Sequence, residues 1–173
     1  YVNMHYLRDA KQETLIHFTR KSNVGSIANN GFEYGITQIR GLHQTRGSGA
    51  ADTITRTEPG YNFANVPGEY MHYPQSGNPA EGAIVLKGDA VIAYHADDNE
   101  MQAVFWGSEI QKNDMVPIFY FKSPSGDHGW AFSLPNGEVF TISSSENEQE
   151  SIDLAIMWVE SHWDDFNQIR ELN

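Results

Sequence analysis

Three places along this chain carry side chains that could do chemistry together. His17 and Thr19 alternate within Leu15-Ile16-His17-Phe18-Thr19-Arg20, so on the two-residue period of a strand they project from one face. Leu15, Ile16 and Phe18 supply the apolar strand residues, and the His and Thr are then hydrogen-bonding groups on the floor of a cleft. Next, Tyr61 and Phe63 share one face of a short strand in Pro59-Gly60-Tyr61-Asn62-Phe63-Ala64-Asn65, with Tyr70 and Tyr73 downstream. Aromatic faces beside a cleft suit stacking on a planar, electron-poor ring. Third, Asn99-Glu100 leads into the apolar run Ala103-Val104-Phe105-Trp106. A carboxylate at the mouth of a buried strand is desolvated enough to act on a substrate while staying anchored. Each place has a plainer alternative: a core histidine, ordinary strand aromatics, and acids solvated at a turn. Asp97, Asp98 and Glu100 also read as hard-metal ligands, but no EF-hand spacing accompanies them.

The elements that must position these residues follow from local pattern. Residues 1–14 are polar and read as a short helix or arm. A short buried strand over 15–20 is followed by a helix with Ser22 as N-cap, Val24 and Ile27 on one face, and Gly31 at the left-handed C′ position. From Glu33 to Gly60 periodicity is lost, and Gly35, Gly41, Gly47 and Gly49 mark a long loop able to close as a lid. Ala83–Leu86 and Ala90–Tyr94 read as two strands joined by the turn Lys87-Gly88-Asp89. Val116–Phe119 follows as another strand, and Asp127-His128-Gly129-Trp130 precedes a hairpin turn at Asn136-Gly137. Ser143-Ser144-Ser145 with Glu148 reads as a capping box. It opens a C-terminal helix of about 145–170 with Ile152, Ala155, Ile156, Val159, Trp163 and Phe166 on one face. That stripe packs on the domain or docks a partner or neighbouring domain.

Leu15-x-His17-x-Thr19, followed by Asn23, Ile27 and Gly31-Phe32, resembles the first motif of the ADP-ribosyltransferase superfamily, in the branch of diphtheria-type toxins, poly(ADP-ribose) polymerases and DarT-type toxins. Phe63-Ala64 with Tyr73 resembles the second motif, although Asn62 stands at the first Tyr position and Tyr61 comes one residue early. Asn99-Glu100, an apolar strand, a short turn carrying Ile110 and a last strand resemble the third. The resemblance covers about residues 15–120. It implies a single α+β domain over 1–173, with a split mixed β-sheet and an added C-terminal helix. It implies NAD as co-substrate, held by His17, Phe18, Thr19, Gly31, Tyr61, Phe63 and Tyr73, with Glu100 and His17 catalytic. Gln102 or Glu109 stands as the alternative carboxylate-position residue. The implied reaction is mono-ADP-ribosyl transfer to a macromolecular acceptor, protein rather than nucleic acid. A non-catalytic NAD or ADP-ribose binding module, an NAD glycohydrolase and an RNA 2′-phosphotransferase are the alternatives.

Composition bounds these readings. The 173 residues suffice for one domain with a real core. Cysteine is absent, which removes disulfides, a thiolate nucleophile and Cys-ligated metal. The seven histidines show no zinc spacing. The net charge of −12 is uneven: seven Lys/Arg face five Asp/Glu in residues 1–58, and four face eighteen in 59–173. An acidic body argues against a protein whose main task is gripping phosphate backbones, and against the RNA phosphotransferase. A dianion such as NAD needs one or two local cations, and Arg20, Arg40, Arg46 and Arg56 lie in the less acidic part. With no membrane-spanning apolar run and no signal-peptide pattern, the expectation is a soluble protein, cytoplasmic rather than secreted.

Overall fold

The structure is a computed structural model that describes residues 5–32, 61–68, 81–95, 100–134 and 136–171. The glycine-rich loop, Arg40, Arg46, Arg56, Tyr70, Tyr73 and Asp97–Asn99 lie outside the described residues. The elements in order are β1 (His5–Thr19), α1 (Lys21–Asn30), β2 (Tyr61–Asn65), β3 (Gly82–His95), β4 (Glu100–Trp106), β5 (Met115–Lys122), β6 (His128–Ser133), β7 (Val139–Ser145), α2 (Glu148–Ser161) and α3 (Trp163–Glu171). Two single 3-10 turns, Gly107–Glu109 and Lys112–Asp114, connect β4 to β5. The chain is thus α+β with an antiparallel sheet and C-terminal helices.

A long two-strand ribbon organises the sheet. β1 pairs with β3 from His5↔His95 to Thr19↔Gly82. The arm expected over residues 1–14 is therefore strand from His5 onward, because β3 offers a partner edge that local propensity cannot report. Likewise Lys87-Gly88-Asp89 is not a turn but the middle of β3. Opposite it β1 carries the irregularity: pairing passes from Ala10↔Ala90 to Glu13↔Gly88, so Lys11 and Gln12 face Asp89 alone. Gln12 has a positive φ of 50°. Its backbone N–H donates to Asp89 Oδ1 at 3.0 Å, and Lys11 Nζ lies 3.4 Å from Asp89 Oδ2.

The edge of β3 away from β1 is shared by two strands. β4 lies along Ala90–His95 and β5 along Gly82–Leu86, so the sheet splits at Lys87–Asp89. A Cβ on Gly88 would meet Ile110 Cδ1 at 2.5 Å. The buried Ile110 side chain fills the wedge where β4 and β5 part, and the glycine leaves room for it. β6 and β7 extend the sheet beyond β5, and β2 pairs with β4 along its whole length. A bridge between Ile16 and Asn65 then joins β2 back to β1. Every pairing among the described residues is antiparallel, which corrects the mixed sheet. The connections β3–β4, β5–β6 and β6–β7 are too short to carry a parallel crossover.

Two cores flank the sheet. One packs Ile16, Val85, Val116, Ile118, Trp130 and Phe132 against Ile152, Ala155, Ile156, Val159 and Phe166 of α2 and α3. The other gathers Leu15, Val24, Phe32, Ile84, Leu86, Ala103 and Phe105 beneath α1. The helical stripe of the C-terminus is as expected, but His162 divides it into two helices. Its cap is Asn147, whose Oδ1 accepts from Glu150 N at 2.9 Å. Ser143–Ser145 belong to β7 instead, where Ser143 Oγ donates to the Ser151 carbonyl at 2.7 Å and ties strand to helix. The Asn136-Gly137 hairpin forms as read, with Gly137 at φ 89° and Asn136 Oδ1 accepting from Glu138 N.

Candidate functional site

The first motif sits where β1 runs into α1. The helix begins at Lys21 with Arg20 as its N-cap residue, so Ser22 lies inside the first turn. Thr19 Oγ1 accepts from Asn23 Nδ2 at 3.0 Å, so the two polar residues of the motif stabilise the strand–helix junction. Gly31 closes the helix: its N–H donates to the Ile27 carbonyl at 2.8 Å, with φ 81° and ψ 179°. The positive φ demands glycine as expected, though the ψ is extended rather than left-handed helical. Phe32 then turns inward and is buried.

His17 is half-buried and meets Phe32 edge-on, ring centroids 5.5 Å apart; Phe32 meets Phe105 in the same manner at 4.9 Å. Leu15 lies buried on that face too, so the face carrying His17 is itself apolar, like the opposite one. Phe18 projects to the other side of β1, 6.3 Å from Trp130 and against the α2 core. The structure therefore groups His17 and Thr19 and separates Phe18 from them.

The closing bridge brings the three motif-bearing strands side by side. Ile16 is level with Asn65 of β2, and Asn65 with Gln102 of β4. Position 17 then lies level with Ala64 and Ala103, both buried. Backbone alternation assigns positions 62, 64, 103 and 105 to the set of His17. Positions 61, 63, 100 and 102 fall in the set of Ile16. Tyr61, Phe63 and Glu100 are placed by register only, Glu100 opposite His95 at the outer end of β4.

Asn62 is the residue that sequence reasoning passed over as a departure. It is buried, and a Cβ on Gly107 would meet its Nδ2 at 2.5 Å and Phe32 Cβ at 2.7 Å. No local signal marks it: the pairing Asn62↔Phe105 is what places it on the aromatic face beside Phe32. A cleft of about 640 Å³ opens next to this group. It is lined by Gly31 and Phe32, by Gly107, Ser108 and Ile110, and by Gln111, Lys112 and Asn113. Phe32 thus touches His17 and borders the cleft.

A second cavity of about 280 Å³ lies against the outer half of the sheet, with Val91, Val104 and Trp106 beside Asp9, Lys11, Asp89 and Glu109. Glu109 lines this cavity and not the cleft by Phe32. The Gln12 N–H, followed by Lys11, holds the Asp89 carboxyl below the usual carboxylate range. Elsewhere, the Asp127–Trp130 segment places His128 Nδ1 2.6 Å from the Tyr120 hydroxyl. Burial, with the charge of Glu148 next, pushes the Tyr120 phenol up. No group of three metal-ligating side chains gathers among the described residues, and no helix there is long and apolar enough to cross a membrane.

Set against known protein families, curated proteins and solved structures, the chain matches none of them.

Proposed function

We propose that this chain is an NAD-dependent mono-ADP-ribosyltransferase that transfers ADP-ribose to a macromolecular acceptor, protein rather than nucleic acid, with release of nicotinamide. The observation that carries the reading is the bridge Ile16↔Asn65↔Gln102, which sets the strands bearing all three motifs next to one another. The residues present also fit an NAD nicotinamide half. An aromatic run from His17 through Phe32 to Phe105 adjoins a cleft lined by amides, the Ser108 hydroxyl and Lys112. Stacking and amide hydrogen bonding are what a carboxamide-bearing ring requires.

In this reading His17 and Thr19 hold the ribose and carboxamide, and Gly31 lets the backbone approach closely. Phe32, which touches His17 and borders the cleft, stacks on the nicotinamide ring, because the register puts Tyr61 and Phe63 in the alternate set. The bond between ribose C1′ and the ring nitrogen breaks, and its electron pair leaves with neutral nicotinamide. The acceptor nucleophile forms the new bond to C1′ and loses its proton to solvent or a base. The Glu100 carboxylate stabilises the positive charge that develops at C1′, so the gain is electrostatic and positional.

A second reading is favoured by one observation. The β2 and β4 positions level with His17 are Ala64 and Ala103, and position 100 belongs to the alternate set. Without a carboxylate on that face the chain is a non-catalytic NAD or ADP-ribose binding module. Two measurements separate these readings. Thermal unfolding with millimolar NAD reports binding, and no rise in Tm from the folded chain sinks both. Nicotinamide release with a whole-cell lysate as acceptor source reports catalysis. Binding without release selects the module.

A further inference from the structure

The outer face of α2 and the start of β7 present apolar side chains to solvent. Val139 is 70% exposed, Phe140 46%, Leu154 38% and Met157 62%. Leu154, Met157 and Trp158 are spaced three and four residues apart and so share one strip of α2. Trp158 continues the strip onto the sheet, its ring 5.3 Å from that of Phe140. The strip is not a frayed end. Ile152, Ala155, Ile156 and Val159 fix the inner face of the helix, and β7 is the last strand of the sheet order.

The charge around the strip says what can cover it. Residues 134–173 hold nine Asp/Glu against a single Lys/Arg, Arg170. Glu150, Asp153 and Glu160 fall on the outer side of α2 beside Leu154 and Met157 by the 100° step of the helix. A second copy of this chain would set those carboxylates against themselves. A neutral apolar partner would strip water from those carboxylates and offer no countercharge. A cationic partner meets both requirements, with apolar groups on the strip and Lys/Arg on its acidic flanks.

We infer that the α2–β7 face is a docking surface for a basic amphipathic polypeptide segment. Leu154, Met157 and the Trp158 edge take its apolar side chains, while Glu150, Asp153 and Glu160 take its cations.

The probe is a dye-labelled amphipathic helical peptide of Leu and Lys in three heptads, with a Leu/Glu peptide as control, titrated against the full chain by fluorescence anisotropy. The Leu/Lys peptide binds, the Leu/Glu peptide does not, and affinity falls as salt rises. Met157→Asp gives the decisive reading, because it adds negative charge while removing apolar surface. Docking on the strip predicts a tenfold or greater loss, whereas diffuse attraction predicts unchanged or tighter binding. Unchanged or tighter binding overturns the inference, as does equal binding of the two peptides. Leu154→Gln, which should also weaken binding, replaces Met157→Asp if circular dichroism shows that variant unfolded. Sedimentation covers the remaining occupant: a dimer that Met157→Asp dissociates means a second copy sits here, and the basic segment is wrong.

Discussion

His17 has a ring edge against Phe32 and a neighbour, Thr19, already engaged with Asn23. Truncating a half-buried imidazole leaves a small void, which costs about 1–2 kcal/mol by comparison with larger core deletions. His17→Ala therefore stays folded, slightly less stable, and loses the NAD-induced rise in Tm. That rise corresponds to about 2.7 kcal/mol when NAD stands at 100 times its Kd. A persisting shift in His17→Ala would detach NAD from this face. Glu100→Gln makes the complementary test: the NAD shift remains and nicotinamide release falls by about 10²–10³-fold, the loss of one electrostatic contact in a dry site. Full release in that variant takes the role away from Glu100. The motif residues were legible as residue types, since alternation around His17 and Thr19 is a local property. Their partners across the sheet were not. That Asn62 shares the aromatic face, and that position 100 alternates away from it, depends on pairings between strands, Asn62↔Phe105, His95↔Glu100 and His17↔Ile84, the first and last joining residues far apart in sequence.

One element sits against its own local signal. Lys87-Gly88-Asp89 has turn chemistry, yet it lies within a strand of 14 residues because β1 pairs along both halves of it. Gly88 has a use that no turn reading supplies, the space for Ile110. Gly88→Ala should cost on the order of 1–3 kcal/mol as an overpacked contact, read from urea unfolding. Ile110→Val removes the Cδ1 that the new Cβ would meet, so the double variant should recover part of the loss. Simple additivity would mean that the wedge is not the cause. Asp89 gives this bulge a pH dependence of known sign. Its carboxyl is held below the usual range in the folded chain, chiefly by the Gln12 N–H. The stability it confers is present above the unfolded-state pKa and is lost as pH falls through the lower folded value. Asp89→Asn should therefore melt below the unmodified chain at neutral pH, with the two Tm values converging under acid conditions. A gap that is constant with pH would contradict the assignment. The hairpin at Asn136-Gly137 and the buried stripe of α2, by contrast, were readable, because turn residues and helical period are local.

For the molecule as a whole, composition foretold the acidic body but not where its carboxylates meet apolar surface. Their concentration on α2 and α3 makes self-repulsion an expected drain on stability. Raising ionic strength from about 0.01 to 0.15 M shortens the Debye length from about 30 to 8 Å and should raise Tm. An unchanged or lower Tm would mean the carboxylates are already compensated. The β1–β3 ribbon has a consequence of another kind, for how the chain is made. β1 is the first described element to be synthesised, and its main partner is Gly82–His95. At translation rates of about 5–20 residues per second, that partner follows roughly 4–15 s later. Throughout that interval a 15-residue strand with Leu15, Ile16 and Phe18 waits without its ladder. Nascent chains halted before residue 82 should stay protease-sensitive throughout. Protection should arrive in one step, once β3 has cleared the ribosome and both halves of the sheet have something to build on.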